Sequence, residues 1–335
     1  MKQVAVIGTG RIGRIHATNL MTFPGIRLRY VSDPAGDSAA SLAALLHTQV
    51  ASIEVVLADP DIDAVVIASP TTTHSELIER VAAAGKHIFC EKPVDLSAQR
   101  AEACAQAVRS AGVACMIGFQ RRFDPTFNEV KQRLDRGDIG SPEMLVITSR
   151  DPGVPPSEYL QQSGGIFRDM LIHDFDVFRW VFDLECNDEV VWLSATGSCL
   201  IDPKVAAVGD IDSAIVSIRT RAGRLCQINA SRRAAYGYDQ RFEILGSKGL
   251  LAAGNHRPHE VTQMDSRGVL TDKPEAFFLE RYREAYRLEM AHFFEQLQTG
   301  ARFRSSVEDG VAAQKLAEAA TVSHRTGQPV NFATF

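Results

Sequence analysis

No CxxC pair occurs among the six cysteines, which stand apart at 90, 104, 115, 186, 199 and 226. That spacing encodes neither a disulfide framework nor a zinc ribbon, and it suits a reducing compartment, the cytoplasm. No apolar run approaches the roughly 20 residues that cross a bilayer. No basic segment followed by an apolar one opens the chain, so neither membrane insertion nor secretion is expected. Lys and Arg nowhere cluster: 36 of them stand against 41 Asp and Glu, a net charge of −5, which leaves no electrostatic footprint for a nucleic-acid backbone. Internal repeats and low-complexity tracts are also missing. There is no HxxxH pair, and His256 and His259 sit three apart in a Gly/Pro-flanked loop, so no metal site is expected. Without a GxSxG elbow or a cysteine beside a base, a covalent nucleophile has no support. What remains is a 335-residue chain, 45% hydrophobic and 23% charged, long enough for two domains and suited to a small neutral or nucleotide-like partner.

Up to residue 119, short β-branched runs alternate with Ala-rich helical ones. Val4–Ile7, Leu28–Val31, Ala64–Ala68, His87–Cys90 and Val113–Ile117 read as buried parallel strands, and about 11–22, 36–47, 73–84 and 97–111 as the helices that cross between them. Pro60 and Pro70 bracket the strand at 64–68, Gly85 ends a helix, and Ser97 can cap the next one. This predicts a doubly wound α/β domain with a parallel sheet over 1–119. Residues 120–335 read differently, with alternating runs near 190–200, 211–219, 224–231 and 240–245 and glycines at 223, 246 and 249. They predict an α+β domain with a large, open, mostly antiparallel sheet. Helical patterns at about 277–297 and 307–325 close the chain, and Pro329–Phe332 can return as an edge strand.

The run Gly8-Thr9-Gly10-Arg11-Ile12-Gly13 follows the first strand and opens a helix. Gly8 allows the tight turn, Gly10 lets backbone approach a pyrophosphate, Gly13 lets helix and strand pack closely, and the helix N-terminus attracts phosphate. Asp33, 20 residues beyond Gly13, can accept hydrogen bonds from the adenosine ribose and would repel a 2′-phosphate, so NAD is expected over NADP. Arg11 and Arg27 leave some tolerance, and a flavin could use the same loop, though nothing later in the chain asks for one. Ser69, Thr71 and His74 lie in the loop at the carboxyl end of the strand at 64–68 and are candidates to line the dinucleotide crevice. Thr73 or Ser75 as an ordinary N-cap, or His74 as merely exposed, are the plainer alternatives.

Glu91-Lys92-Pro93 stands at the carboxyl edge of its strand, where the nicotinamide half of the cofactor would lie. A lysine there can steady a developing alkoxide or take its proton, unless it is a solvated surface lysine. Asp169, His173 and Asp176 fall at i, i+4 and i+7, which predicts one helical stripe with Leu171, Phe175, Val177 and Phe178 on the apolar side. A carboxylate can then hold a neutral imidazole ready to accept a hydroxyl proton, or simply brace the helix.

With GxGxxG, Asp33, Glu91-Lys92-Pro93, Gly118–Asp124 and Gly164-Gly165-x4-Asp169-x3-His173-Asp174 in this order, the chain resembles the Gfo/Idh/MocA oxidoreductase family over essentially its whole length. Ser149–Pro152, Phe167–Asp176 and Tyr236–Arg241 followed by Gly246–Gly249 make it look most like the members that act on inositol. The resemblance implies a Rossmann domain, an open sheet whose outer face makes subunit contacts, and a homotetramer. It implies NAD-dependent oxidation of a ring hydroxyl, myo-inositol to 2-keto-myo-inositol, with Lys92 binding and polarising the hydroxyl, His173 as acid/base and Asp169 orienting the substrate and the His–Lys network. Arg121, Asp151 and Tyr236 fall in segments that supply substrate contacts in the family. A related sugar oxidoreductase, acting on another inositol isomer, glucose or an anhydrosugar, and a non-catalytic NAD-binding sensor are the alternatives.

Overall fold

Val4, Ala5, Val6 and Ile7 are all buried, which a strand achieves only when both faces of its sheet are covered. The computed structural model describes residues 1–184 and 188–334, so Cys186 lies outside the described residues. It places this run at the centre of a six-stranded sheet of β1 (Lys2–Ile7), β2 (Ile26–Ser32), β3 (Gln49–Val50), β4 (Ala64–Ile67), β5 (His87–Glu91) and β6 (Cys115–Gly118). The order is β3-β2-β1-β4-β5-β6, and every pairing is parallel. The crossovers carry α1 (Arg11–Leu20), α2 (Gly36–Leu46), α3 (Ile53–Ala58), α4 (His74–Ala83) and α5 (Ala98–Ala111). Ser97 caps α5 by accepting from the Arg100 N–H, and Gly85, with φ +71°, turns the chain after α4. The two-residue β3 and the short α3 carry too few residues for a periodic signal. The strand order reverses between β1 and β4, the point where open α/β sheets bind ligands beyond their carboxyl ends.

The chain divides into two units, Met1–Phe123 with Ala285–Lys315, and Asp124–Glu284 with the residues from Leu316 onward. Residues 285–315, read from sequence as part of the second domain, thus belong to the first. Backbone and side chain explain why: Ile117 N–H donates to the Ser305 carbonyl, the Ser305 hydroxyl donates to the Ile117 carbonyl, and the buried Arg122 guanidinium pairs with Asp309 at 3.0 Å. None of these long-range partners leaves a periodic trace in sequence.

The second unit begins with α6 (Pro125–Asp135), whose first turn is capped by Asp124, and holds β7 (Pro142–Arg150), α7 (Ser157–Leu160), α8 (Ile166–Asp169), α9 (Ile172–Val181), β8 (Val190–Ser198), α10 (Pro203–Ala207), β9 (Ser213–Thr220), β10 (Leu225–Ser231), β11 (Asp239–Gly246) and β12 (Gly249–Ala253). There follow a hairpin of β13 (Thr262–Asp265) and β14 (Gly268–Thr271), α11 (Phe278–Arg281), α12 (Arg283–Thr299), α13 (Val307–Thr326) and β15 (Val330–Asn331). The large sheet runs β12-β11-β7-β10-β9-β8-β15. All its pairings are antiparallel except β7 with β10, and the tail forms the edge strand on β8. Strand β7 escapes the alternation rule because Ile147, Thr148 and Ser149 are buried in succession.

One face of this sheet, including Leu145, Ile147, Cys226, Ile228, Phe242 and Ile244, packs into a core with Phe175 and Phe178 of α9 and Leu316 and Ala320 of α13. The other face carries a row of apolar side chains in direct register: Leu225 opposite Met144, Met144 opposite Leu245, and Leu245 opposite Leu250. All four are exposed.

Candidate active site

In the first unit the glycine loop is held by packing and by Asp33. A Cβ on Gly8, which sits at φ +94°, would stand 2.4 Å from the Ala68 carbonyl oxygen, and one on Gly13 would stand 2.0 Å from the Gly8 carbonyl oxygen. The loops after β1 and β4 therefore meet backbone to backbone. Gly10 is different: apart from its chain neighbours and its own helix backbone, no described atom lies within 4 Å of its Cβ position, so internal packing does not demand glycine there and the backbone is open to approach. Gly8→Ala is expected to cost more than about 1 kcal/mol of stability and to abolish the thermal shift that NAD produces in the parent protein.

Asp33 stands just past β2 and accepts from the Thr9 N–H at 2.7 Å, the Thr9 hydroxyl at 3.0 Å and the Ala35 N–H at 2.8 Å. Burial by itself would raise its pKa, but these donors outweigh it and hold the carboxyl below its ordinary value. The residue is thus a fixed anion beside the glycine loop. Arg11 opens α1, with Ile12 next to it. Ser69, at the end of the loop after β4, shares a hydrogen bond with Thr73 at 2.7 Å, and Thr71 starts a short turn of 3-10 helix. Thr73 occupies the N-cap position of α4 without a side-chain cap bond.

Two expectations change here. His74 is buried rather than exposed, with Nδ1 2.7 Å from the Pro93 carbonyl and Nε2 2.9 Å from the Ser69 carbonyl. Burial pushes its imidazolium form down, against the pull of those carbonyls. Its ring therefore ties the β4 loop to the segment after Lys92 instead of lining a crevice. Glu91 is also turned inward: its carboxylate lies 2.6 Å from His16 Nε2 and packs against Gly118, where a Cβ would come within 3.1 Å of it. Lys92, the next residue in an extended chain, is partly accessible. Arg121 is buried in the turn of 3-10 helix Gln120–Phe123.

In the second unit the expected single helix through Asp169, His173 and Asp176 is broken. The N–H groups of Met170 and Leu171 both donate to the Ile166 carbonyl, which widens the turn by a residue and shifts the phase of the side chains that follow by about 100°. Asp169 ends α8, His173 lies in the first turn of α9, and Asp176 is fully buried while the other two stay partly accessible. Asp169 is held from two sides: the Tyr159 hydroxyl donates to Oδ1 at 2.6 Å and Arg232 Nη1 donates to Oδ2 at 3.2 Å. Arg232 is completely buried and reaches a second carboxylate, Asp210, at 3.5 Å. Asp210 in turn accepts from the Ile166 N–H at 3.0 Å, the start of α8.

Asp151 follows β7, and its N–H donates to the Ser231 carbonyl at the end of β10. The one parallel pair of the sheet thus brings Asp151 and Arg232 to the same end. Tyr236 is there too, its hydroxyl donating to Asp239 at 2.6 Å and accepting from Arg150 at 2.9 Å. Partial burial and the Asp239 carboxylate push the pKa of its hydroxyl up, so it stays protonated and able to donate. Sequence reasoning missed Tyr159, Asp210 and Arg232, which show no periodicity or motif; the pair Arg232-Arg233 just past a strand end is the one signal that could have pointed to Arg232.

A model of the oxidoreductase family's NAD-binding Rossmann fold matches residues 2–119, and a model of its C-terminal alpha/beta domain matches residues 131–332. The chain belongs to the Gfo/Idh/MocA family. Among members of that family it is 45% identical to inositol 2-dehydrogenase of Rhizobium meliloti over 95% of both chains. It is 39% identical to scyllo-inositol 2-dehydrogenase (NAD(+)) of Bacillus subtilis over 97% of this chain and 95% of the relative. The crystal structure of a myo-inositol dehydrogenase from Corynebacterium glutamicum superposes with a TM-score of 0.93 at 40% identity, covering 99% of each chain. This Gfo/Idh/MocA protein is therefore an NAD-dependent oxidoreductase, and the fixed anion at Asp33, the Gly10 position and the α1 N-terminus fit that cofactor. Asp33→Asn is expected to narrow its preference for NAD over NADP by about tenfold, since hydrogen bonds to a charged group contribute about 1.5 to 3 kcal/mol. The KM ratio for the two cofactors checks this, and an unchanged ratio would contradict it.

Proposed function

We propose that this enzyme oxidises a ring hydroxyl of a cyclic polyol, converting myo-inositol to 2-keto-myo-inositol (scyllo-inosose). The observation that carries the reading is the built anchorage of Asp169 by Tyr159 and Arg232, at the sheet end where Asp151 and Tyr236 also stand. A neutral polyol needs several donors and acceptors rather than an anion clamp, and this set offers both. NAD supplies the hydride acceptor when bound, held by Gly8, Gly10, Arg11, Ile12, Gly13 and Asp33 with Ser69 and Thr71 beside them. Lys92 binds the reacting hydroxyl and steadies negative charge on its oxygen. His173 accepts the hydroxyl proton in oxidation and returns it in reduction. Asp169 orients the ring, and Arg121, Asp151 and Tyr236 complete the substrate contacts.

The 45% identity to an inositol 2-dehydrogenase supports myo-inositol, while the 39% identity to a scyllo-inositol enzyme keeps that epimer as the second reading. An inverted hydroxyl leaves a polar partner unsatisfied, which is enough to separate epimers. Incubation with NAD and, in turn, myo-, scyllo- and chiro-inositol, glucose and an anhydrosugar should give the fastest NADH absorbance rise with myo-inositol. Faster turnover of scyllo-inositol would move the assignment to the epimer, and NAD binding without reduction on any of them would favour a sensor.

We further infer a homotetramer and a cytoplasmic setting. The registered row Leu225, Met144, Leu245 and Leu250 is an apolar strip that a second copy can cover. All five cysteines among the described residues are free thiols, and burial pushes that of Cys104 up to about 12. No helix among the described residues is long and apolar enough to cross a membrane.

A further inference from the structure

Behind the Lys92 segment, within the first unit, three ionisable side chains meet in an apolar interior. His16 comes from α1, three residues after the last glycine of the loop; Glu91 comes from the end of β5; Glu289 comes from α12. All three are buried, and their ligating atoms lie within 4.8 Å of one another. His16 is caged edge-on by Phe89 and Tyr286 at ring-centroid distances of 5.0 and 5.9 Å. Neither carboxyl oxygen of Glu289 has a hydrogen-bond partner among the described residues, and nor does His16 Nδ1.

We propose that His16, Glu91 and Glu289 form one buried unit, a His16–Glu91 hydrogen bond beside a protonated Glu289, that positions both the helix receiving the dinucleotide and the strand end carrying Lys92. Two carboxylates cannot both be charged here beside a single imidazole, since an isolated buried ion costs several kcal/mol; one must carry a proton. Glu289 is that one, because Glu91 has the imidazole and Glu289 has no partner. Burial, then the charge of Glu91, drives its ionisation well above the carboxylate range. The groups facing it are His16 from α1 and Glu91 from β5, with His74 of α4 and the Cys90 thiol in the field of Glu91. A metal ion is the other use for such a set. The 2.6 Å separation of His16 Nε2 from Glu91 is a direct hydrogen bond, shorter than the roughly 3.3 Å that tetrahedral zinc bonds of 2.0–2.1 Å impose between ligands.

The role assigned to Lys92 rests on the polyol reading, so the test has arms that need no polyol. A neutral acid is mimicked by an amide of the same shape. The folded-state ionisation of Glu289 lies above its unfolded value of 4.5. The parent therefore carries a penalty that begins above that pH and grows as pH rises until the group ionises. Glu289→Gln should melt at a higher temperature than the parent at pH 8, with the gap shrinking towards pH 5, and should keep its NAD affinity and kcat within about twofold. His16→Phe removes the partner of Glu91. It should weaken NAD and lower kcat by about tenfold or more while the polyol KM moves little, as misplacement near the chemistry does. Should His16→Phe fail to fold, the Glu289→Gln melting curves and NAD titration still decide. A lower melting temperature for Glu289→Gln at every pH, a loss of kcat in it, or a stoichiometric metal ion in the purified enzyme would overturn the proposal. If the parent turns over no polyol, the polyol reading fails while melting and NAD binding still judge this one.

Discussion

Lys92→Met is expected to lower kcat with myo-inositol by about three orders of magnitude while the affinity for NAD stays within about twofold. The size reflects what the side chain does: a fixed donor aimed at developing oxyanion charge contributes about 10²- to 10³-fold, and polarising a bound hydroxyl adds to the proton transfer it assists, itself about 10²- to 10⁴-fold. Methionine keeps the unbranched stem and its packing, so the strand end at Glu91 and the His74 contact to the Pro93 carbonyl should persist. His173→Ala should cause a comparable loss, because the side chain proposed to receive the hydroxyl proton is then gone. Rapid-mixing measurements of NADH formation together with fluorescence titration of NAD separate the two effects. Retained turnover in either variant, with the fold intact by circular dichroism, would remove that residue from the chemistry.

Arg232→Met should have the largest effect on the protein itself. The guanidinium is completely inaccessible and lies between Asp169 at 3.2 Å and Asp210 at 3.5 Å. Removing it leaves two carboxylates without their cation, and breaking a buried pair from one side costs about 3 to 5 kcal/mol. Denaturant unfolding should show that loss. Activity should fall as well, because Asp169 then loses the guanidinium that fixes Oδ2 while keeping the Tyr159 bond to Oδ1. A cycle with Asp169→Asn distinguishes positioning from bulk destabilisation: residues in one hydrogen-bonded network couple by about 0.5 to 3 kcal/mol, whereas independent effects add. Additive kcat losses would show that Arg232 supports the fold but does not position the carboxylate.

The parallel half of the fold was readable because β1 and β4 are short runs of consecutive apolar residues between glycine and proline punctuation, and covalent neighbours supply that signal. Gly8, Gly13 and Asp33 were readable for the same reason, since the loop, its helix and the anion lie within 26 residues of chain. What sequence could not show depends on contacts across the chain. Arg232 meets Asp169 from 63 residues away. Residues 285–315 join the first unit through pairings of Ser305 and Asp309 with Ile117 and Arg122. The i, i+4, i+7 spacing of Asp169, His173 and Asp176 predicted a stripe that the shared Ile166 carbonyl breaks. Periodicity reads an ideal helix and makes no allowance for an inserted residue. For His74 and Glu91 the sequence placed the residues at the right sheet edge but could not tell inward from outward, because both depend on the side chains that pack behind them.

The most direct test of the central claim uses myo-inositol deuterated at carbon 2, with mass analysis of both products after a single turnover. Transfer of the hydride from that carbon predicts NADH carrying one deuterium and 2-keto-myo-inositol carrying none, with a primary isotope effect on the rate. Unlabelled NADH would place the oxidation at another ring carbon, and no reduction of bound NAD would contradict the dehydrogenase reading for this substrate.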